Sequence, residues 1–292
     1  MGLLKVALSH DVDRVQKTHQ YLTRSARCIK NRDMQGFWHE LENYPKRKKV
    51  YWNFPDIIKT EAELGVRSTF FFLQESYPFH LLRPAKWKLA LGRYDVRSRN
   101  VSRIIRDLDQ GGWEIGLHES YRSFNDPNLL KQEKDILEQV LGKPVVGIRQ
   151  HYLNLADQTW RYQEESGFKY DSSLGFTDRI GFKEGRIKPF FPTGSHFCVF
   201  PLAIMDSCYA EDGRREQHLE QIVSKTKEND AVLVLNWHSN SWSAEEYPGY
   251  KEYYINIVRR LIDAGAEFKV LGEFWKELAH GKYESSECST DG

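Results

Sequence analysis

The chain has 292 residues, 40% of them hydrophobic and 28% charged, a composition ordinary for a globular enzyme of one or two domains. A formal net charge of +1 makes no electrostatic case for nucleic acid or an anionic membrane, and no apolar run approaches the roughly 18 residues of a bilayer span. Its four cysteines, Cys28, Cys198, Cys208 and Cys288, form no C-x-x-C pair, which argues against zinc-ribbon and dithiol chemistry. No charged-then-apolar leader precedes the first strand, so the expectation is a cytoplasmic, reduced protein.

The first apolar run, residues 3–8, ends in Ser9-His10-Asp11-Val12-Asp13. In a straight strand Asp11 and Asp13 share a face, and two neighbouring carboxylates repel unless a cation or a proton intervenes. Residues 14–50 are polar and basic and predict one or two helices on the solvent side of a sheet, with Lys46-Arg47-Lys48-Lys49 as a solvated face. An amphipathic helix over 54–65 stops at Gly65, and the aromatic run 66–73 predicts a strand. Strand, helix, strand implies a parallel sheet.

Residues 74–100 contain Pro78 and Pro84 and predict a long loop. A helix over 101–110 stops at Gly111-Gly112, and the strand 113–117 ends at His118. The segment 128–141 predicts a helix capped near Asp126-Pro127 and closed by Gly142. The short strand 145–148 ends at Arg149-Gln150-His151-Tyr152, and a helix near 156–166 precedes a strand end at Asp171. Residues 175–206, dense in Gly and Pro, predict loop. A helix over 215–228 and the strand 231–236 lead to Trp237-His238, followed by a helix over 250–264, a short strand at 268–270 and a terminal helix. The division expected is one catalytic domain over 1–282 and a polar tail over 283–292.

Asp11 and Asp13, His118, Arg149 to Tyr152, Asp171 and His238 each follow a predicted strand. Ionisable residues gathered at the carboxyl edge of a parallel sheet imply a metal-assisted hydrolytic pocket. Their order resembles the polysaccharide deacetylase family (carbohydrate esterase family 4). Ser9-His10-Asp11-Val12-Asp13 resembles its first motif and Gly116-Leu117-His118-Glu119-Ser120-Tyr121 its second. Arg149-Gln150-His151-Tyr152 resembles the third, and Leu235-Asn236-Trp237-His238 the last. Gly181-Phe182 and residues 201–206 resemble members from surface-polysaccharide gene clusters.

That resemblance implies a single-domain α/β fold, a distorted (β/α) barrel. It implies Asp11 as base, Asp13 and His118 as metal ligands, and Arg149 orienting the base. The Tyr152 backbone N–H would hold an oxyanion, and His238 would serve as general acid. The implied cofactor is a divalent metal, zinc first, with cobalt or nickel as alternatives. The implied substrate is an N-acetylated sugar. Retention inside the cell would make it a nucleotide sugar or a lipid-linked glycan of O-antigen or lipopolysaccharide biosynthesis.

One position departs from the pattern. The family's second motif carries another His four residues after the first; here that position is Arg122. His151 is the replacement ligand expected, and His10 is the alternative. Asp171 orients His238 or a substrate hydroxyl, or else caps its strand, and Trp237 and Trp242 either form a sugar platform or fill the core. His19, His39, His80, His196, His218 and His280 lack such context. Two rival functions remain: a non-catalytic carbohydrate-binding protein on the same scaffold, and a metal-independent C–N hydrolase.

Overall fold

The computed structural model describes residues 2–18, 20–43, 50–76 and 91–287. Its centre is β1 (Lys5–Val12), flanked on one side by β2 (Ser68–Leu73), β3 (Glu114–Glu119), β4 (Gly147–Gln150), β5 (Tyr170–Asp171) and β6 (Cys198–Val199). On the other side lie β8 (Val232–Asn236) and β7 (Leu202–Met205), and every neighbouring pair is parallel. The short β9 (Glu267–Phe268) pairs with Lys5 and Val6 at the start of β1. The predicted strands are therefore present. Two more, β6 and β7, lie in the stretch expected to be loop.

Helices connect the strands: α1 (Gln20–Lys30), α2 (Met34–Asn43), α3 (Phe54–Leu64), α4 (Arg99–Gln110), α5 (Pro127–Leu141) and α6 (Thr159–Glu165). They continue with α7 (Asp206–Glu211), α8 (Arg215–Glu228), α9 (Tyr250–Asp263) and α10 (Leu271–Glu287). Local chemistry sets several ends. Asp126 Oδ1 accepts the Leu129 N–H at 3.1 Å to cap α5, and Gly142 closes it with φ 80°. The Lys46–Lys49 run, Pro78, Pro84 and the tail beyond residue 287 lie outside the described residues. Among the described residues no helix is long and apolar enough to cross a membrane.

The sheet is not flat. In a flat sheet β4 and β1 would lie about 14 Å apart, three strand spacings. Yet Arg149 on β4 brings Nη1 to 2.9 Å from Asp11 Oδ1 on β1. The strands curl into a distorted, open (β/α) barrel with its ends at β6 and β7.

The curl makes two cores. Alternation sends Leu8, Val12, Phe70, Phe72, Leu117, Leu233 and Leu235 outward against the helices. It sends Ala7, Phe71, Tyr170, Val232 and Val234 into the barrel, where Leu271 and Phe274 of α10 join them. The inner wall is crowded, so small residues are required in it. A Cβ at Gly116 would lie 2.5 Å from the Phe71 ring, and one at Gly147 would lie 2.1 Å from the Tyr170 hydroxyl.

This crowding gives a stability prediction. Gly116→Ala is expected to cost about 1–3 kcal/mol, the usual range for overpacking a filled core. Chemical denaturation should show it as a lowered midpoint, and adding Phe71→Leu should recover part of the loss. Equal midpoints for Gly116→Ala and the parent would show that the wall is not tightly filled.

Candidate active site

The same period of two that builds the barrel aims its functional groups. Ser9 and Asp11 on β1, His118 on β3, Arg149 on β4 and Asn236 on β8 all turn inward. Just past the strand ends, Asp13, His151 and His238 complete the mouth.

Arg149 is fully buried and every guanidinium nitrogen is used. Nε donates to the Ser172 carbonyl at 2.8 Å and Nη2 to Ser172 Oγ at 3.0 Å. Nη1 donates to Ser9 Oγ at 2.7 Å and to Asp11 Oδ1 at 2.9 Å. The Phe71 ring lies beneath it, 4.4 Å from the guanidinium carbon. Asp11 Oδ2 accepts Asn236 Nδ2 at 2.7 Å. Burial alone would raise the Asp11 pKa, but the charges of Arg149, His118 and His238 outweigh it and hold the carboxyl below its ordinary value. Asp11 is thus held ionised with a fixed orientation.

Asp13, His118 and His151 converge, with one ligand atom from each lying within 4.8 Å of the others. His118 Nδ1 bonds the Arg149 carbonyl at 2.9 Å. A carbonyl only accepts, so Nδ1 carries the hydrogen, and in the neutral ring the Nε2 lone pair faces Asp13 Oδ1 at 3.1 Å. Asp13 Oδ1 is buried and has no hydrogen-bond donor. His151 Nε2 lies 3.8 Å from Asp13 Oδ2. A lone pair and a carboxylate face to face call for a proton or a cation between them. Against burial, Asp11 and Asp13 raise the His118 pKa, while His151, His118 and His238 lower that of Asp13. One carboxylate and two imidazoles also match the donor set of a divalent ion with an open position. The residues fit a metal.

His238 sits across the mouth, with Nε2 4.0 Å from Asp13 Oδ2. Its Nδ1 pairs with Asp206 Oδ1 at 2.9 Å, and its backbone N–H donates to Asp206 Oδ2 at 2.9 Å. Ser241 Oγ donates to the same Oδ2 at 2.6 Å. Burial would lower the His238 pKa, but Asp206, then Asp13 and Asp11, push it up to about 10. The ring is a cation at neutral pH.

Tyr152 follows in the short turn His151–Leu153, with φ 62° at Tyr152 and 52° at Leu153. Two consecutive bulky residues in the left-handed region cost about 1–2 kcal/mol each. Strain of this kind gathers at functional sites. It bends the chain sharply just after His151 enters the cleft.

Several expectations need correction. His10 faces away from the barrel: its Nδ1 bonds the Trp237 carbonyl at 2.7 Å and its Nε2 pairs with Glu61 at 2.9 Å. Alternation along β1 turns it outward, so it is no ligand. Asp171 also faces outward, taking Ser173 Oγ at 2.5 Å and Gln163 Nε2 at 3.2 Å. The acid on His238 is Asp206 instead. Trp237 and Trp242 are buried against Tyr254 and form core, not a sugar platform. Arg122 is exposed and outside the ligand cluster. Of the remaining histidines, His218 pairs with Asp212 at 2.6 Å, and His19 and His80 lie outside the described residues.

No family model and no curated protein matches the chain. Solved structures do. A polysaccharide deacetylase from Mycobacterium smegmatis aligns with a TM-score of 0.61 at 16% identity, over 96% of this chain and 92% of that one. A polysaccharide deacetylase from Pseudomonas aeruginosa PAO1 aligns with a TM-score of 0.57 at 13% identity, over 94% and 90%. PuuE allantoinase aligns with a TM-score of 0.55 at 11% identity, also over 94% and 90%. A curled parallel sheet with polar groups at its carboxyl edge, matched end to end by these structures, gives this chain the polysaccharide deacetylase fold.

Proposed function

We propose that this chain is a member of carbohydrate esterase family 4 and a metal-dependent hydrolase that removes an N-acetyl or similar N-acyl group from a sugar. One observation carries the reading. An ionised, clamped Asp11 stands beside an Asp13–His118–His151 cluster, with a protonated His238 across the mouth. Base, ligand set and acid face one cleft. A metal-independent hydrolase leaves the ligand cluster without a purpose, and a sugar-binding protein has no use for the base and acid.

Asp13, His118 and His151 would hold a divalent ion, zinc first with cobalt or nickel as alternatives, which would supply Lewis acidity when bound. The chain's own groups do the rest. Asp11 takes a proton from the attacking water, and Arg149 and Asn236 keep it ionised and aimed. The Tyr152 backbone N–H steadies the oxyanion as the carbonyl carbon becomes tetrahedral. His238 gives its proton to the nitrogen as the C–N bond breaks, leaving a free amine and a carboxylate. Asp206 holds the acid in place and charged.

A nucleotide sugar or lipid-linked glycan of O-antigen or lipopolysaccharide assembly is the substrate proposed. It rests on the resemblance at Gly181-Phe182 and residues 201–206, the second of which is the stretch that delivers Asp206. Cys208 is a buried free thiol, which supports the reducing, cytoplasmic setting proposed here.

Acetate release from N-acetylated sugars tests the activity. Asp11→Asn is expected to lower kcat by about 10²–10⁴-fold, the range for a lost general base, while bound metal stays near the parental content. Metal-loaded parent that binds such sugars and releases no acetate would instead establish the binding protein. No metal after zinc or cobalt is supplied, with acetate still released, would establish the metal-independent hydrolase.

The acid makes a separate pH prediction. His238 has a folded-state pKa of about 10 against 6.5 for an ordinary His. Its protonation therefore stabilises the fold in full below about pH 6.5, and that contribution is lost as pH rises to about 10. Asp206→Asn should bring the His238 titration, followed by NMR, down toward 6.5 and carry the alkaline limb of kcat with it. An alkaline limb that does not move would remove His238 from the acid role.

A further inference from the structure

Glu75 lies just past β2 and is 4% exposed. Its Oε2 accepts the Tyr121 backbone N–H at 3.1 Å and lies 3.7 Å from His151 Nδ1. That nitrogen is buried and has no hydrogen bond. The opposite nitrogen of the ring, Nε2, lies 3.8 Å from Asp13 Oδ2. The His151 imidazole is strung between two carboxylates, one inside the ligand cluster and one behind it.

A neutral imidazole has one donor and one acceptor nitrogen, and the partner of one fixes the role of the other. For His118 the Arg149 carbonyl settles this, taking Nδ1 at 2.9 Å and leaving Nε2 toward Asp13. His151 has no carbonyl at its Nδ1. The group facing that nitrogen is Glu75, and an ionised carboxylate only accepts. Drawing 3.7 Å in to hydrogen-bond length takes a shift of about 0.8 Å. Such contacts commonly stay long until the site is filled.

We propose that Glu75 is the positioning residue of the ligand cluster: it takes the Nδ1–H of His151 and so presents the Nε2 lone pair to a divalent ion. The proposal rests on reading Asp13, His118 and His151 as metal ligands. Through Oε2, Glu75 also ties the turn after β3, at Tyr121, to the turn after β4, at His151. This is how a histidine outside the usual second motif can be held as firmly as His118. Partners of this kind on ligating histidines are worth about 10–100-fold in metal affinity.

The test is zinc affinity of the full chain, measured by competition with a chromogenic chelator, in a double-mutant cycle. Glu75→Gln is expected to weaken zinc binding about ten-fold or more, and Glu75→Asp to recover part of it. In a His151→Ala background Glu75→Gln should have no further effect, because the ring it positions is gone. A merely structural Glu75 would weaken binding equally in both backgrounds, which would overturn the proposal. So would zinc binding unchanged in Glu75→Gln. If Glu75→Gln does not fold by circular dichroism, Glu75→Asp carries the cycle. Absence of zinc binding in the parent chain would sink the metal reading and this proposal together, whereas a parent that binds zinc with indifferent variants would sink this proposal alone.

Discussion

The structure depends first on a buried ion pair, Arg149 with Asp11. Taking a guanidinium and a carboxylate out of water costs several kcal/mol per ion unless nearly every hydrogen bond is replaced. Here the replacements come from distant parts of the chain: Ser9 on β1, Ser172 after β5 and Asn236 on β8. No flat sheet can bring those three strands, together with β4, around one ion pair. The curl, the Phe71 ring under the guanidinium and the missing side chain at Gly116 are all conditions for that pair to exist.

The pair also separates the tasks of two aspartates that stand two residues apart. Asp11 has both oxygens engaged by donors, so its charge is fixed and its direction set. Asp13 Oδ1 has none, and two imidazoles face the carboxylate. Environments that treat neighbouring carboxyls so differently assign them different chemistry. A third carboxylate, Asp206, completes the division by keeping His238 charged on the other side of the cleft. On the proposed reading one acid is a base, one a ligand and one a support, and each would owe its role to its partners.

Much of this was legible in the sequence because the barrel repeats one signal, an apolar run ending in an ionisable group. Residues 3–13, 113–118 and 231–238 carry it clearly, and they gave the strands and the residues beyond them. Asp206 carries it too, at the end of Leu202–Met205, but the Gly and Pro residues before it masked a four-residue strand as loop. The orientation of His10 was also readable from alternation along β1, since Asp11 and Asp13 cannot face inward unless His10 faces out. Glu75 gave no such signal. It follows a strand, but its importance comes from Tyr121 and His151, residues 46 and 76 positions away that only the curled sheet brings close.

With His151 as the proposed ligand, the departure at Arg122 from the family motif is not a loss. A ligand is needed at a point in space, not at a place in the chain. The mouth of a barrel brings neighbouring strand ends within reach of one another, so the turn after β4 can supply what the turn after β3 lacks. The His151 ring enters the cleft just before two left-handed residues, Tyr152 and Leu153, which bend the chain. Arg122, at the position where the family has its second histidine, lies exposed and solvated, so its charge does not compete for the anionic cleft. On the proposed reading, a substitution that looks disabling in one dimension is compensated by a neighbour in three, and the cost of that exchange is borne by the His151 turn.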